Sequence, residues 1–100
     1  MIRHIVIFKF RNNATQEQID TVSKAFQALK DRIPGILSFE AGVNNSPENL
    51  HRGMTHVFQL TFVDAGARDA YLPHPEHKAF GDLLGRLGIL EEVFVIDYAP

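Results

Sequence analysis

Cysteine is absent from the 100 residues, which excludes disulfides, thiolate catalysis and cysteine metal sites, and suits a reducing cytoplasm. Long hydrophobic runs are absent too. The longest, such as Ile5-Val6-Ile7-Phe8, is far shorter than a bilayer span, and Met1 leads straight into a strand pattern rather than a signal peptide, so the expected location is cytoplasmic. Basic excess is lacking: ten Lys and Arg against twelve Asp and Glu leave a formal charge of −2, the wrong balance for a protein that binds phosphate backbones, and no nucleic-acid partner is expected. Gly81, Gly85 and Gly88 do not form a dinucleotide or P-loop fingerprint. No linker, low-complexity segment or convincing repeat divides the chain, so residues 1–100 are read as one domain.

What is present is patterned. Residues 2–10, IRHIVIFKF, alternate as a strand with Ile2, His4, Val6, Phe8 and Phe10 on one face and Arg3, Ile5, Ile7 and Lys9 on the other. Asn12-Asn13 marks a turn, and Thr15 with Gln18 has capping-box spacing. Ile19, Val22, Phe26, Leu29 and Ile33 then form the apolar stripe of a helix that Pro34-Gly35 stops. A weaker strand pattern covers residues 36–45, where Gly42 suggests a bulge or close backbone approach. A polar loop follows, and residues 54–63 alternate again, with His56, Phe58, Leu60 and Phe62 on one side. Asp64 caps a short helix through Leu72, Pro73 interrupts it, and Pro75 opens another that ends near Leu87 and Gly88. Residues 92–98 read as a last strand, with Val93, Val95 and Asp97 opposite Phe94, Ile96 and Tyr98.

The order β-α-β-β-α-β predicts an α+β, ferredoxin-like fold: a four-stranded antiparallel sheet with helices on one face. Helices on one face leave Ile5, Ile7, Val57, Phe94, Ile96 and Tyr98 uncovered on the other. A two-fold homodimer packed sheet against sheet would hide them.

Chemistry concentrates around Tyr71-Leu72-Pro73-His74-Pro75-Glu76-His77. The two prolines define a kink, after which His77, Phe80 and Leu84 share a helix face turned toward the core. His4 and His56 belong to the inward faces of their strands, so three histidines converge on the layer between sheet and helices, with Asp97 and Tyr71 nearby. A lone inward histidine is commonly a hydrogen-bonded core residue, and His74 serves helix initiation. His77 with Tyr71 has a mechanism as well: an imidazole to abstract a proton and a phenol to hold a developing oxyanion. His74, Glu76 and His77 are close in sequence, but Pro75 turns His74 away, and no metal site is expected.

His4-Ile5-Val6-Ile7-Phe8-Lys9-Phe10, Gly53-Met54-Thr55-His56, the Tyr71 to His77 segment and terminal Ile96-Asp97-Tyr98 together resemble the stress-responsive A/B barrel (Dabb, dimeric α/β-barrel) family over essentially the whole chain. The resemblance implies a ferredoxin-like protomer paired into a dimeric α+β barrel. In one branch, the plant polyketide cyclases, it implies aldol-type closure of a linear poly-β-ketone without a cofactor. There His77 would act as base and Tyr71 would hydrogen-bond the carbonyl oxygen that gains charge. His4, His56 and Asp97 would be supporting groups, and Val6, Phe26, Phe58, Phe80, Val93 and Val95 the apolar walls. Two additional residues around Gly88 to Glu92 set the chain apart from that branch. Three readings follow: a proton-transfer enzyme on a carbonyl-rich small molecule, a non-catalytic binder of a small hydrophobic ligand, and a packed structural dimer. A cavity of roughly 300 Å³ or more near His77 separates the first two from the third.

Overall fold

The alternation of residues 2–10 becomes strand β1 (Ile2–Phe10) in a computed structural model that describes all 100 residues. It is followed by helix α1 (Gln16–Arg32), strands β2 (Ile36–Val43) and β3 (His56–Phe62), helices α2 (Ala65–Tyr71) and α3 (Pro75–Leu87), and strand β4 (Leu90–Tyr98). The sheet order is β2-β3-β1-β4 with every neighbouring pair antiparallel, the ferredoxin-like arrangement.

Local signals set the boundaries. Thr15 Oγ1 accepts from the Gln18 backbone N–H at 3.1 Å, and Gln18 Oε1 accepts from the Thr15 N–H at 3.0 Å, so two of the four unpaired donors at the start of α1 are satisfied reciprocally. Asp64 caps α2 by accepting from the Ala67 N–H at 2.8 Å. Gly88 ends α3 in the left-handed conformation that favours glycine.

Val6, Phe8, Phe58, Leu60 and Phe62 on the sheet pack against Val22, Phe26, Leu29 and Phe80 on the helices, and all are buried. The Phe26 ring centroid lies 4.5, 4.9, 5.5 and 6.2 Å from those of Phe80, Phe58, Phe39 and Phe8, so one helical side chain ties three strands and a second helix together. The inner side of edge strand β4 is less covered: Val93 is 43% and Val95 56% exposed, because the helices lie over the other strands. On the outer face Phe94, Ile96 and Tyr98 are 44%, 58% and 51% exposed, with Ile5, Ile7 and Val57 beside them.

The expectation at Gly42 is not met. Gly42 pairs with Val57 in unbroken register and a Cβ there would meet nothing within 4 Å; the irregularity of β2 lies between Ile36 and Ser38. β2 also ends before Asn44, and β4 begins at Leu90 rather than Glu92, since a register shift beyond Lys9 lets Leu90 pair with Phe10. The glycine that the packing requires is Gly35. Its φ is +92°, and an added Cβ would lie 2.6 Å from the Cβ of Ala67 on α2. Left-handed strain costs about 1–3 kcal/mol for a residue with a side chain, and overpacking about 1–3 kcal/mol more. Gly35→Ala is therefore expected to lower unfolding stability by about 2–6 kcal/mol, seen as a lower denaturant midpoint at unchanged slope.

Candidate functional site

Pro73 and Pro75 bracket a change of direction. Leu72 still has helical angles as the C-cap of α2, whereas His74 is extended and stands as the N-cap of α3, with Pro75 at the first helical turn. His74 Nδ1 accepts from the Glu76 N–H at 3.0 Å, which commits that imidazole to helix initiation. His77, in the first turn of α3, is turned back toward the end of α2. Its Nδ1 is 2.9 Å from the Leu72 carbonyl oxygen, which can only accept, so Nδ1 carries the proton and neutral His77 has its lone pair on Nε2. The ring lies against Tyr71, centroids 4.3 Å apart and planes inclined by 37°.

Both side chains border a half-open cavity of about 200 Å³ between sheet and helices, smaller than the roughly 300 Å³ expected of a ligand site. His4, Val6, Phe8, Phe26, Phe80, Leu84, Leu90, Val93 and Val95 contribute to its wall, so its polar groups gather at one end and its remainder is apolar. Tyr71 is only 1% exposed, and its hydroxyl is buried without a hydrogen-bond partner in the chain. Burial pushes the phenol far above its ordinary value, leaving a neutral donor. An unpaired buried hydroxyl costs about 1–3 kcal/mol.

His4 is 4% exposed and forms a second imidazole of the wall, edge-on to Tyr71 at 5.7 Å. Its Nδ1 is 2.7 Å from Asp97 Oδ1, and Asp97 Oδ2 accepts from Arg68 Nη1 at 3.0 Å. Asp97 thus acts on the cavity through His4 and does not line it.

Two residues expected here lie elsewhere. His56 sits beside the far end of β1, opposite Phe8, with its ring 4.9 Å from that of Phe10 and Nδ1 2.7 Å from Thr55 Oγ1. It does not reach the cavity, and partial burial holds its pKa below the ordinary imidazole value. Phe58 lies beneath Phe8 and Phe26, 1% exposed, as the layer under the wall. The strand alternation put both on the correct face; distance along β1 keeps His56 from the cavity, whereas Phe58, level with Val6 in the register, is covered by Phe8 and Phe26. Arg68 was not anticipated: it reaches from α2, which packs on β3, to Asp97 on β4, a tertiary juxtaposition with no local pattern. No group of three or more His, Asp or Glu side chains is placed to hold a metal ion, and no helix is long and apolar enough to cross a membrane.

The family model described as Stress Responsive A/B Barrel Domain matches residues 2–100. The chain belongs to that family. This stress-responsive A/B barrel chain is 35% identical over 99 residues to Stress-response A/B barrel domain-containing protein HS1 of Arabidopsis thaliana, covering 99% of this chain and 89% of the relative. It is 27% identical over 99 residues to olivetolic acid cyclase of Cannabis sativa, covering 99% and 96%. A crystal structure of an Arabidopsis thaliana protein, 35% identical, superposes on this A/B barrel protomer with a TM-score of 0.92, covering 100% of this chain and 95% of the other. A Bacteroides fragilis protein of unknown function, described as dimeric and ferredoxin-like, is 28% identical with a TM-score of 0.74, covering 99% and 95%.

Proposed function

We propose that the cavity is the active site of a cofactor-independent enzyme that moves a proton in a carbonyl-rich small molecule, in its sharpest form the aldol-type cyclisation of a polyketide-like chain. The observation that carries this reading is the unpartnered, buried Tyr71 hydroxyl in the same wall as an imidazole whose Nδ1 is held by Leu72. In the proposed step His77 Nε2 takes a proton from a methylene flanked by carbonyls. The enolate carbon bonds to a second carbonyl carbon, whose π pair moves onto oxygen. Tyr71 hydrogen-bonds that oxygen as charge grows, and the proton held on His77 passes to it, giving a β-hydroxy ketone. The 27% identity to a protein named olivetolic acid cyclase supports the reaction class.

The proposed working unit is a cytoplasmic homodimer joined through the uncovered sheet face. The dimeric description of the Bacteroides fragilis protein supports this.

The test is ring closure of a linear tri-β-keto acyl thioester, followed chromatographically against the spontaneous products. Tyr71→Phe separates catalysis from folding. Removing one oxyanion donor lowers the rate by about 10²–10³-fold, whereas deleting a hydroxyl that has no partner leaves the unfolding midpoint unchanged or higher. A rate equal to wild type would remove Tyr71 from the mechanism. The volume of about 200 Å³ falls below the roughly 300 Å³ expected of a ligand site and favours a second reading, a non-catalytic dimer that is packed or holds at most one compact apolar ligand, in which the thioester is never closed.

A further inference from the structure

We propose that Arg68 is the positioning residue of a second imidazole site, holding Asp97 so that His4 presents the lone pair of Nε2 to the cavity. The inference rests on the reading of the cavity as the ligand site, and it adds a hydrogen-bond acceptor beside the Tyr71 donor.

Asp97 lies near the end of edge strand β4, and its side chain is 22% exposed. A carboxylate at such an edge exchanges readily with water and can rotate. Here both oxygens are fixed, Oδ1 on His4 Nδ1 and Oδ2 on Arg68 Nη1. The guanidinium is fixed in turn, since Arg68 Nε donates to Asp69 Oδ1 at 2.8 Å. Arg68 therefore uses two arms of its fork, which a point charge cannot do. The ionised carboxylate accepts only, so His4 Nδ1 must carry the proton. His4 Nε2 has no partner in the chain, and His4 lines the cavity. The charged and titratable groups around His4 are Asp97 on β4, Arg68 and Tyr71 on α2, and His77 on α3; its β3 neighbours Leu60 and Phe62 are apolar.

A donor and an acceptor side by side match a ligand that offers an acceptor next to an O–H. An enolised 1,3-diketone has that pair, with the carbonyl toward Tyr71 and the enol O–H toward His4. Arg68 would then control selectivity without touching the ligand.

The test uses the whole ¹⁵N-labelled chain and nonane-2,4-dione as probe. Imidazole nitrogen NMR of the free protein is expected to show His4 as a single tautomer, protonated at Nδ1, with His4→Phe identifying its signals among the five histidines. Arg68→Met is expected to give mixed tautomers and bind the dione about three- to tenfold more weakly. Arg68→Lys recovers the tautomer in part, because it restores the charge but not the fork. Asp97→Asn reproduces the Met effect from the other side of the contact. A wild-type His4 protonated at Nε2, or an Arg68→Met protein with unchanged signals and affinity, overturns the proposal. The tautomer readout needs no turnover, so failure of the thioester to cyclise leaves it intact and the two proposals fail separately.

Discussion

His77→Ala is expected to reduce ring closure of the linear tri-β-keto thioester by about 10²–10⁴-fold, while nonane-2,4-dione still binds with nearly wild-type affinity. The split follows from what the imidazole touches. One nitrogen is spent on the Leu72 carbonyl, which orients the ring and fixes the tautomer, and its flank rests on Tyr71. The apolar wall that would hold the ligand tail comes from Val6, Phe26, Phe80 and the β4 valines, none of which depends on His77 for its position. Truncation therefore removes the proton acceptor and leaves the container. Stability should change little, because the ring is only half-buried and its single hydrogen bond lies at an exposed helix junction. Undiminished turnover in the variant would sink the catalytic reading and leave the compact-ligand binder.

How much of this could be read from the chain depends on the range of the interactions involved. Helix ends were legible because their causes are local: Thr15 and Gln18, Asp64, Pro75 and Gly88 each act within a turn of themselves. Strand faces were legible through alternation, which put His4, Val6 and Phe8 toward the helices and Ile5 and Ile7 away. The kink at Pro73 and Pro75 brought His77 to Tyr71 because only six positions separate them. Alternation gives the face and not the distance along it, and so it placed His56 with His4 although three residues of β1 lie between their positions in the register. Arg68 illustrates the other limit. It joins α2 to β4 across β1, and that contact exists only once the strand order β2-β3-β1-β4 and the seat of α2 are both known. Gly42 was misjudged for a related reason: an exposed edge strand tolerates glycine without needing it, whereas Gly35 is required by a helix 32 positions further on.

If the proposed homodimer forms, Ile96→Asp is expected to convert it into monomers at concentrations where wild type remains paired, in sedimentation or light scattering. Ile96 is 58% exposed in the single protomer, at the centre of an apolar strip with Phe94 and Tyr98 on β4 and Ile5 opposite it on β1. Packing two such faces brings sheets about 10 Å apart and leaves no water between them. A two-fold axis places the substitution on both sides, so each dimer buries two unpaired carboxylates, and the penalty is several kcal/mol for each ion. Dissociation should strengthen by about 10³-fold or more. The isolated protomer keeps its helix-side core, because Ile96 points away from Val6, Phe26 and Phe58. Its fold should therefore survive with a lower thermal midpoint that no longer rises with protein concentration, whereas the wild-type midpoint does rise, as linkage between pairing and folding requires. A wild-type chain that sediments as a monomer, or an Ile96→Asp chain that stays paired, would move the association to another surface. The uncovered inner side of β4, with Val93 and Val95 at the rim of the cavity, would then be the next apolar surface to test by the same substitution.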